Sequence, residues 1–292
     1  MDRRDPTSGP TPDEDVPGQE YPGTEKEMKP EADHGEQSYR GSEKLGGLVA
    51  IITGGDSGIG RAVAIAFARE GADVAIAYLD EMEDQDAAET RRWVEKAGRR
   101  CLAQRLDVRD KQACESFVKA VREELGGVDI LVNNAAYQMS CESLLDITEE
   151  QIERTFRTNI YGYIFMAQAV LPHMKKGSVI INTGSVTGME GHPVLIDYAS
   201  TKGAIHMFTK SLSKSVADDG IRVNCVAPGP VWTPLIPSTF PREEITDFGE
   251  DTVWGRPAQP AEIAPAFVFL ASADSRYFTG EIMSPTGKAT TR

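Results

Sequence analysis

Apolar positions along this chain fall into short continuous runs that alternate with amphipathic stretches. The runs at residues 48–53, 73–78, 101–107, 128–133, 178–182 and 221–227 predict buried strands, with a shorter one at 280–283. Between them apolar residues recur at helical spacing over 61–70, 82–97, 110–125, 148–171, 198–217 and 260–271. Local stop and start signals agree with these limits. Gly71 and Gly98 close the first two helices, Asp110 caps the third, Thr148 opens the fourth, and Pro260 sits in the first turn of the last. The fourth helical pattern carries an interruption at Gly162 and stops before Pro172. Strands that are continuously apolar are buried on both faces. The expected fold is therefore α/β, a single Rossmann-like, doubly wound parallel sheet of about seven strands with helices on both faces.

Two stretches break the pattern. Residues 1–40 hold 6 Pro, 4 Gly, 11 acidic and 5 basic residues and almost no aliphatic ones. Such a segment has little to bury. It reads either as a disordered acidic tail or as an arm laid across a neighbouring subunit, anchored by Tyr21, Pro22, Met28 and Tyr39; the aromatics beside prolines favour the arm. Residues 41–292 then form the domain. Residues 231–254 are mixed and loop-like, with a short helix expected within 242–248, and read as a lid over a substrate.

The formal net charge of -14 is expected to repel nucleic acid and anionic membrane. No apolar run has transmembrane length and no cleavable signal is visible, so a cytoplasmic protein is expected. Cys101, Cys114, Cys141 and Cys225 show no CxxC spacing, and the four histidines are scattered. No metal site is expected from them.

The chemistry starts at LVAIITGGDSGIG, residues 48–60. A strand runs into a glycine-rich turn and then into a helix N-terminus, a sequence of elements that suits an anion such as a pyrophosphate. Gly54 allows a tight turn, Gly58 lets a phosphate approach the backbone, and Gly60 allows close helix–strand contact. The same turn occurs for purely structural reasons. Tyr198 and Lys202 lie four apart in a helical segment and so share a face. A nearby ammonium favours a phenolate, which makes the tyrosine a proton-transfer candidate. Ser185 follows the strand at 178–182 on its C-terminal side, where α/β folds bind ligands. Asn159 lies inside the preceding helix, and on spacing alone is equally a packing asparagine.

Taken together these residues resemble the classical short-chain dehydrogenase/reductase family, in its extended, general-stress-protein-like oxidoreductase branch. The coenzyme motif stands as TGGDSGIG, Thr53 to Gly60. The Asn-Asn-Ala-Gly element appears as Asn133-Asn134-Ala135-Ala136, with alanine in place of the last glycine. Ser185 matches the active-site serine, Tyr198-Ala199-Ser200-Thr201-Lys202 the catalytic helix, and Pro228-Gly229 the element after the sixth strand, with Thr233 beyond it. The matches span roughly residues 45 to 285.

The resemblance implies an NAD(P)-dependent oxidoreductase that exchanges hydride between a nicotinamide cofactor and a small alcohol, aldehyde or ketone. It implies Tyr198 as general acid or base and Ser185 as a hydrogen-bond donor to the substrate oxygen. Lys202 would lower the tyrosine pKa and hold the nicotinamide ribose, and Asn159 would anchor a relay water. Cofactor contacts would come from Gly54, Asp56, Ser57, Gly58, Ile59 and Gly60 in the loop. Tyr78, Leu79, Asp80, Asp107 and Val108 would lie at the adenosine end, beside Asn134, Ala135 and Ala136. Pro228, Gly229, Val231 and Thr233 would face the nicotinamide. A homotetramer built on the helices at 148–171 and 198–217 is also implied.

Cofactor choice follows from charge. NADP needs a basic group for its 2′-phosphate. The loop offers Asp56 and Ser57 and the second strand ends at Asp80 and Glu81, so NAD is favoured; Arg61, swinging across, keeps NADP open. Val186, Met189, His192, Leu195 and Trp232 join Ser185 and Tyr198 as the expected substrate pocket, a mostly apolar set. The alternatives are a 3-oxoacyl thioester reductase, a glucose-type sugar dehydrogenase, and a catalytically weak nucleotide-binding regulatory protein.

Overall fold

The apolar run VAIIT becomes β1 (Val49–Thr53), an interior strand buried along its whole length. The computed structural model describes residues 5–13 and 16–288. In chain order there follow α1 (Gly58–Arg69), β2 (Asp73–Tyr78), α2 (Asp84–Lys96), β3 (Cys101–Arg105), α3 (Lys111–Leu125) and β4 (Ile130–Asn133). The second half adds α4 (Glu149–Phe156), α5 (Gly162–Val170), β5 (Val179–Thr183), α6 (Thr187–Glu190), α7 (Ile196–Ser215), β6 (Arg222–Val226), α8 (Arg242–Ile245), α9 (Pro260–Ala271) and β7 (Ile282–Met283). All seven strands are parallel, in the order β3-β2-β1-β4-β5-β6-β7. The order reverses between β1 and β4, and a crevice opens at that point beyond the strands' C-terminal ends.

Alternate residues of each strand serve opposite faces. Ala50 and Ile52 pack with Val63 and Phe67 of α1 and Phe267 of α9. Val49 and Ile51 belong to the other core, with Phe117 and Val121 of α3 and Met166 and Val170 of α5. Helix ends follow the local signals. The Asp110 carboxylate accepts from the backbone N–H of Gln112 and Ala113, and Gly126 ends α3 with φ +94°. The interruption in the fourth pattern is a π-helical turn, Arg157–Tyr161, between α4 and α5, with Asn159 inside it. Among the described residues no helix is long and apolar enough to cross a membrane.

The extension departs from the expectation of a free tail. Residues 1–4 and 14–15 lie outside the described residues; the rest is docked on its own chain rather than frayed. Tyr39 donates to Glu70 (2.6 Å), and the Trp232 indole donates to the Pro30 carbonyl (2.8 Å). Val16 and Met28 pack with Trp232, Ile236 and Ile245 in a small separate core. The arm has few aliphatic residues because it borrows this apolar surface from the 231–254 segment.

Buried charge also holds it. His34 lies between Glu25 (2.8 Å) and Glu36 (3.0 Å), with Arg61 acting against it. Burial disfavours its imidazolium, but the two carboxylates outweigh that and raise its pKa from 6.5 to about 9. A raised folded-state pKa stabilises docking fully below pH 6.5, and this contribution is lost as pH rises through 9. Tryptic cleavage after the exposed Lys26, normalised to a free peptide, is expected to be slow at pH 7 and to accelerate toward pH 10. A rate that stays flat across this range would show that the His34 charge does not hold the arm.

Candidate active site

The ends of β1, β2, β4 and β5 open into one cleft of about 430 Å³. Its floor is the glycine-rich loop. Gly54 has φ +61° and Gly58 φ +48°, a region that side-chain-bearing residues avoid. Space is short as well: a Cβ on Gly54 would sit 3.1 Å from the Ala135 Cα, and one on Gly58 3.0 Å from the Thr233 methyl carbon. Gly60 does not face the cleft; a Cβ there would fall 1.8 Å from the Gly54 carbonyl oxygen, so it serves helix–loop contact. The Thr53 hydroxyl accepts from the N–H of Asn134 (2.9 Å) and Ala135 (3.1 Å), and the Asn134 amide donates to the Gly54 carbonyl (3.0 Å). The exit of β4 is thereby tied to the loop. Asp56, Ser57 and Ile59 also line the cleft, as does Ala136.

At the β2–β3 end the walls are Tyr78, Leu79, Asp107 and Val108. Asp80 is not among them. Its carboxylate turns back to accept from the Met82 N–H (3.0 Å), while Glu83 accepts from the N–H of Leu79 (3.0 Å) and Asp80 (2.8 Å). This is a capping box, written in the sequence as Asp-x-x-Glu. The acid that reaches the cleft from this turn is Glu83, opposite Asp56. One Asp56 oxygen is buried without a donor. Burial holds protons on both carboxyls above the ordinary carboxylate range; for Glu83 the Asp56 charge adds to it, and for Asp56 the Asp86 charge does, against Ser57 and Arg61.

Arg61 does not swing across. Its guanidinium is buried, donating to the Asp56 carbonyl (2.8 Å), Thr90 (3.1 Å) and the Asp86 carboxylate (3.0 Å). The two arginines that do line this end are engaged. Arg109 forms a fork with Asp107 (2.7 and 2.8 Å), and Arg154 stacks over Tyr21 (4.8 Å) and Tyr137 (4.3 Å).

At the other end α7 brings Tyr198 and Lys202 to one face beside Ser185. All three are buried. The Lys202 ammonium donates to the Thr183 carbonyl at the end of β5 (2.8 Å) and lies 5.3 Å from the centre of the Tyr198 ring. Ser185 hydrogen-bonds the Tyr198 phenol and itself accepts from the Thr187 N–H (3.1 Å) and hydroxyl (2.9 Å). Burial pushes the Tyr198 phenol above its usual range, an effect the Ser185 bond opposes. Burial also brings the Lys202 ammonium down to about 8.

Asn159 is fully buried but does not line the cleft. Its oxygen accepts from the Tyr137 N–H (2.8 Å), and its amide donates to the Tyr137 carbonyl (2.8 Å) and the Thr201 hydroxyl (3.0 Å). Both amide hydrogens are used, so the side chain clamps the Tyr137 backbone to α7. Pro228, Gly229, Val231 and Thr233 line the cleft facing α7. Of the expected substrate pocket, Val186, His192 and Leu195 line it. Met189 is half exposed and Trp232 is wholly buried under the arm, so neither does. Gln138, Phe240, Glu244, Asp247, Phe248 and Asp251 take their place, which makes the mouth more acidic than an apolar reading suggests. Burial pushes His192 below its usual pKa.

A nicotinamide dinucleotide fits these residues. The glycines place no side chain of their own on the cleft floor where phosphates would lie, the Asp56 and Glu83 carboxyls at the β2 end suit ribose hydroxyls, and the far end carries a phenol and an ammonium. The chain matches, over residues 54–287, the family model described as enoyl-(acyl carrier protein) reductase. It is 51% identical to general stress protein 39 of Bacillus subtilis over 266 residues, 91% of this chain and 92% of that protein. It is 48% identical to glucose and ribitol dehydrogenase of Daucus carota over 272 residues, 92% and 94% of the two chains. The crystal structure of a short chain dehydrogenase from Burkholderia cenocepacia in complex with NADP superposes with a TM-score of 0.78 at 31% identity, over 84% of this chain and 98% of that one. The chain belongs to the short-chain dehydrogenase/reductase family, in a branch with the general stress proteins, and is an NAD(P)-dependent oxidoreductase of alcohols and carbonyl compounds.

Proposed function

We propose that this chain interconverts a neutral, hydroxyl-bearing aldehyde or ketone and its alcohol, with Tyr198 as proton donor and acceptor and with NAD as cofactor. The observation that carries this reading is the convergence of Tyr198, Ser185 and Lys202 in one buried corner of the cleft. When bound, the cofactor supplies hydride exchange at the carbonyl or carbinol carbon. Ser185 donates to the substrate oxygen and Tyr198 delivers or removes its proton. Lys202 places a positive charge behind the phenol and holds ribose hydroxyls. Asn159 acts one step back, fixing Tyr137 and the Thr201 turn of α7.

The substrate class rests on the mouth of the cleft. Asp251 is paired with Lys288 (2.7 Å), so Glu244 and Asp247 leave the mouth net acidic, which suits polyols, sugars and hydroxyaldehydes and disfavours anionic thioesters. The carrot relative's sugar and polyol substrates agree with this. A homotetramer assembled on α4, α5 and α7, working in the cytoplasm, completes the proposal.

NAD is proposed because Asp56 and Glu83 line the adenosine end and, among the described residues, the arginines beside them are engaged. Equilibrium titration of the protein with NADH and NADPH is expected to show tighter NADH binding. Measured at pH 9, where Glu83 (raised to about 8) has lost its proton, Glu83→Gln is expected to lower the ratio of the NADPH to the NADH dissociation constant by at least about fivefold, the equivalent of about 1 kcal/mol of charge repulsion. Tighter NADPH binding by the unaltered protein would overturn the NAD assignment and bring this chain in line with the NADP-bound Burkholderia structure. Saturable binding of either cofactor with no turnover of aldehydes, ketones, polyols or sugars would instead favour the regulatory alternative.

A further inference from the structure

We propose that the N-terminal arm is a working part of the cofactor site, a strap across its adenosine end in which Tyr21 is a positioning residue. The inference rests on the reading of this cleft as the dinucleotide site and adds a retaining element to it. Three sets of contacts carry it.

The first is at the cleft itself. Tyr21 and Pro22 form part of its wall, although they lie far in sequence from every other wall residue. The Tyr21 hydroxyl donates to the Ala136 carbonyl (3.1 Å), at the exit of β4. Its ring meets Tyr137 edge-on at 5.0 Å, and the Arg154 guanidinium covers both rings. The phenol thus stands on the cleft wall at the β4 exit, beside the space an adenosine would occupy.

The second set is on the glycine-rich loop. The buried Glu25 carboxylate accepts from the Gly58 N–H (2.6 Å) at the start of α1 and is held from behind by His34. The third set is on the 231–254 segment. The Gln19 N–H donates to the Pro237 carbonyl (2.8 Å), and the Ser238 hydroxyl reaches the Pro22 carbonyl (3.4 Å). Gly23, at φ +79°, passes so close that a Cβ would lie 2.7 Å from the Pro234 carbonyl oxygen. One continuous segment therefore touches the floor of the cleft, its adenosine wall and its lid at once. A cofactor that fills the cleft stabilises the docked arm, and by reciprocity the docked arm retains the cofactor.

The test uses the full-length protein and NADH or NADPH, whichever binds tighter. Tyr21→Ala is expected to raise the dissociation constant about three- to tenfold, the scale of one lost aromatic contact, chiefly through faster dissociation in stopped flow. Tyr21→Phe keeps the ring and loses only the bond to Ala136, so it is expected to recover most of that loss. Saturating cofactor is expected to slow tryptic cleavage after Lys26 at least about threefold in the unaltered protein, and to do so less in Tyr21→Ala. Unchanged cofactor affinity and dissociation in a folded Tyr21→Ala, or cleavage indifferent to cofactor, would overturn the strap while leaving the dinucleotide reading intact. If Tyr21→Ala does not fold, Tyr21→Phe and the cleavage measurement decide. An unaltered protein that binds neither cofactor would remove the underlying reading, and the strap with it.

Discussion

Tyr198→Phe is expected to lower kcat by about 10²- to 10⁴-fold, the range of a lost general acid or base, while NADH affinity and thermal stability change little. The substitution removes one oxygen and leaves the ring that packs beside Ser185 and Lys202, so no cavity opens. The environment of the phenol also sets a direction. Burial raises its pKa, so the protonated form prevails at ordinary pH in the cofactor-free protein. That is the form needed to donate a proton to a carbonyl oxygen. Oxidation of an alcohol needs the phenolate, which the Lys202 charge favours. Carbonyl reduction is therefore expected to vary little between pH 6 and 8, and alcohol oxidation to rise with pH. Steady-state rates in both directions check this. Turnover near the unaltered level in Tyr198→Phe would assign the proton transfer elsewhere.

Lys202→Met is expected to abolish most turnover and weaken cofactor binding, yet to leave the protein no less stable at pH 7. The reason is linkage. The folded protein lowers the Lys202 pKa from 10.5 to about 8, because the ammonium is buried with one carbonyl partner. Between those values the unfolded chain binds more protons than the folded one, so this group makes stability rise as pH increases from 8 to 10.5. Below pH 8 the whole cost is present, on the order of 3 kcal/mol. Methionine has similar volume and no charge. It leaves no orphan acceptor, since the Thr183 carbonyl also accepts from the Tyr163 hydroxyl (3.1 Å). His206 responds too. Burial and the Lys202 charge bring it down to about 4, and removing that charge is expected to raise it. Urea unfolding at pH 7 and pH 10 tests the argument: the stability advantage of Lys202→Met should shrink at the higher pH. A variant clearly less stable than the parent at pH 7 would mean that the ammonium is a net stabiliser. A costly buried charge retained at the centre of the site is a stability–function compromise.

Much of the site is local in origin, and such features are legible along the chain. The interior strands follow from mostly apolar runs, whereas the edge strands β3 and β7 are only partly buried, and the glycine cradle follows from a strand running into a helix start. Tyr198 and Lys202 share a face by helix geometry alone, and α7 needs no distant partner to align them. Even the displacement of Asp80 by Glu83 had a local signal, the Asp-x-x-Glu capping pattern, which competes with ligand binding for the same carboxylate.

What the chain order could not convey is which polar side chains are already engaged. Arg61 looked available beside the loop, but Asp86 and Thr90, more than twenty residues away, claim it. Nothing in the spacing showed that the Asn159 amide is committed to the Tyr137 backbone, twenty-two residues away. Trp232 looked like a pocket residue, and a proline two hundred residues earlier buries it. The arm is the largest instance. Its composition alone reads as solvated, because its apolar partners are on another part of the chain. Periodicity thus determined the strands, the helices and the shared face of the catalytic pair, because those depend on neighbours a few residues apart. The walls, the mouth and the strap of the cleft were decided by tertiary packing, because they depend on contacts whose partners are distant in sequence and whose burial and pairing exist only once the chain has folded.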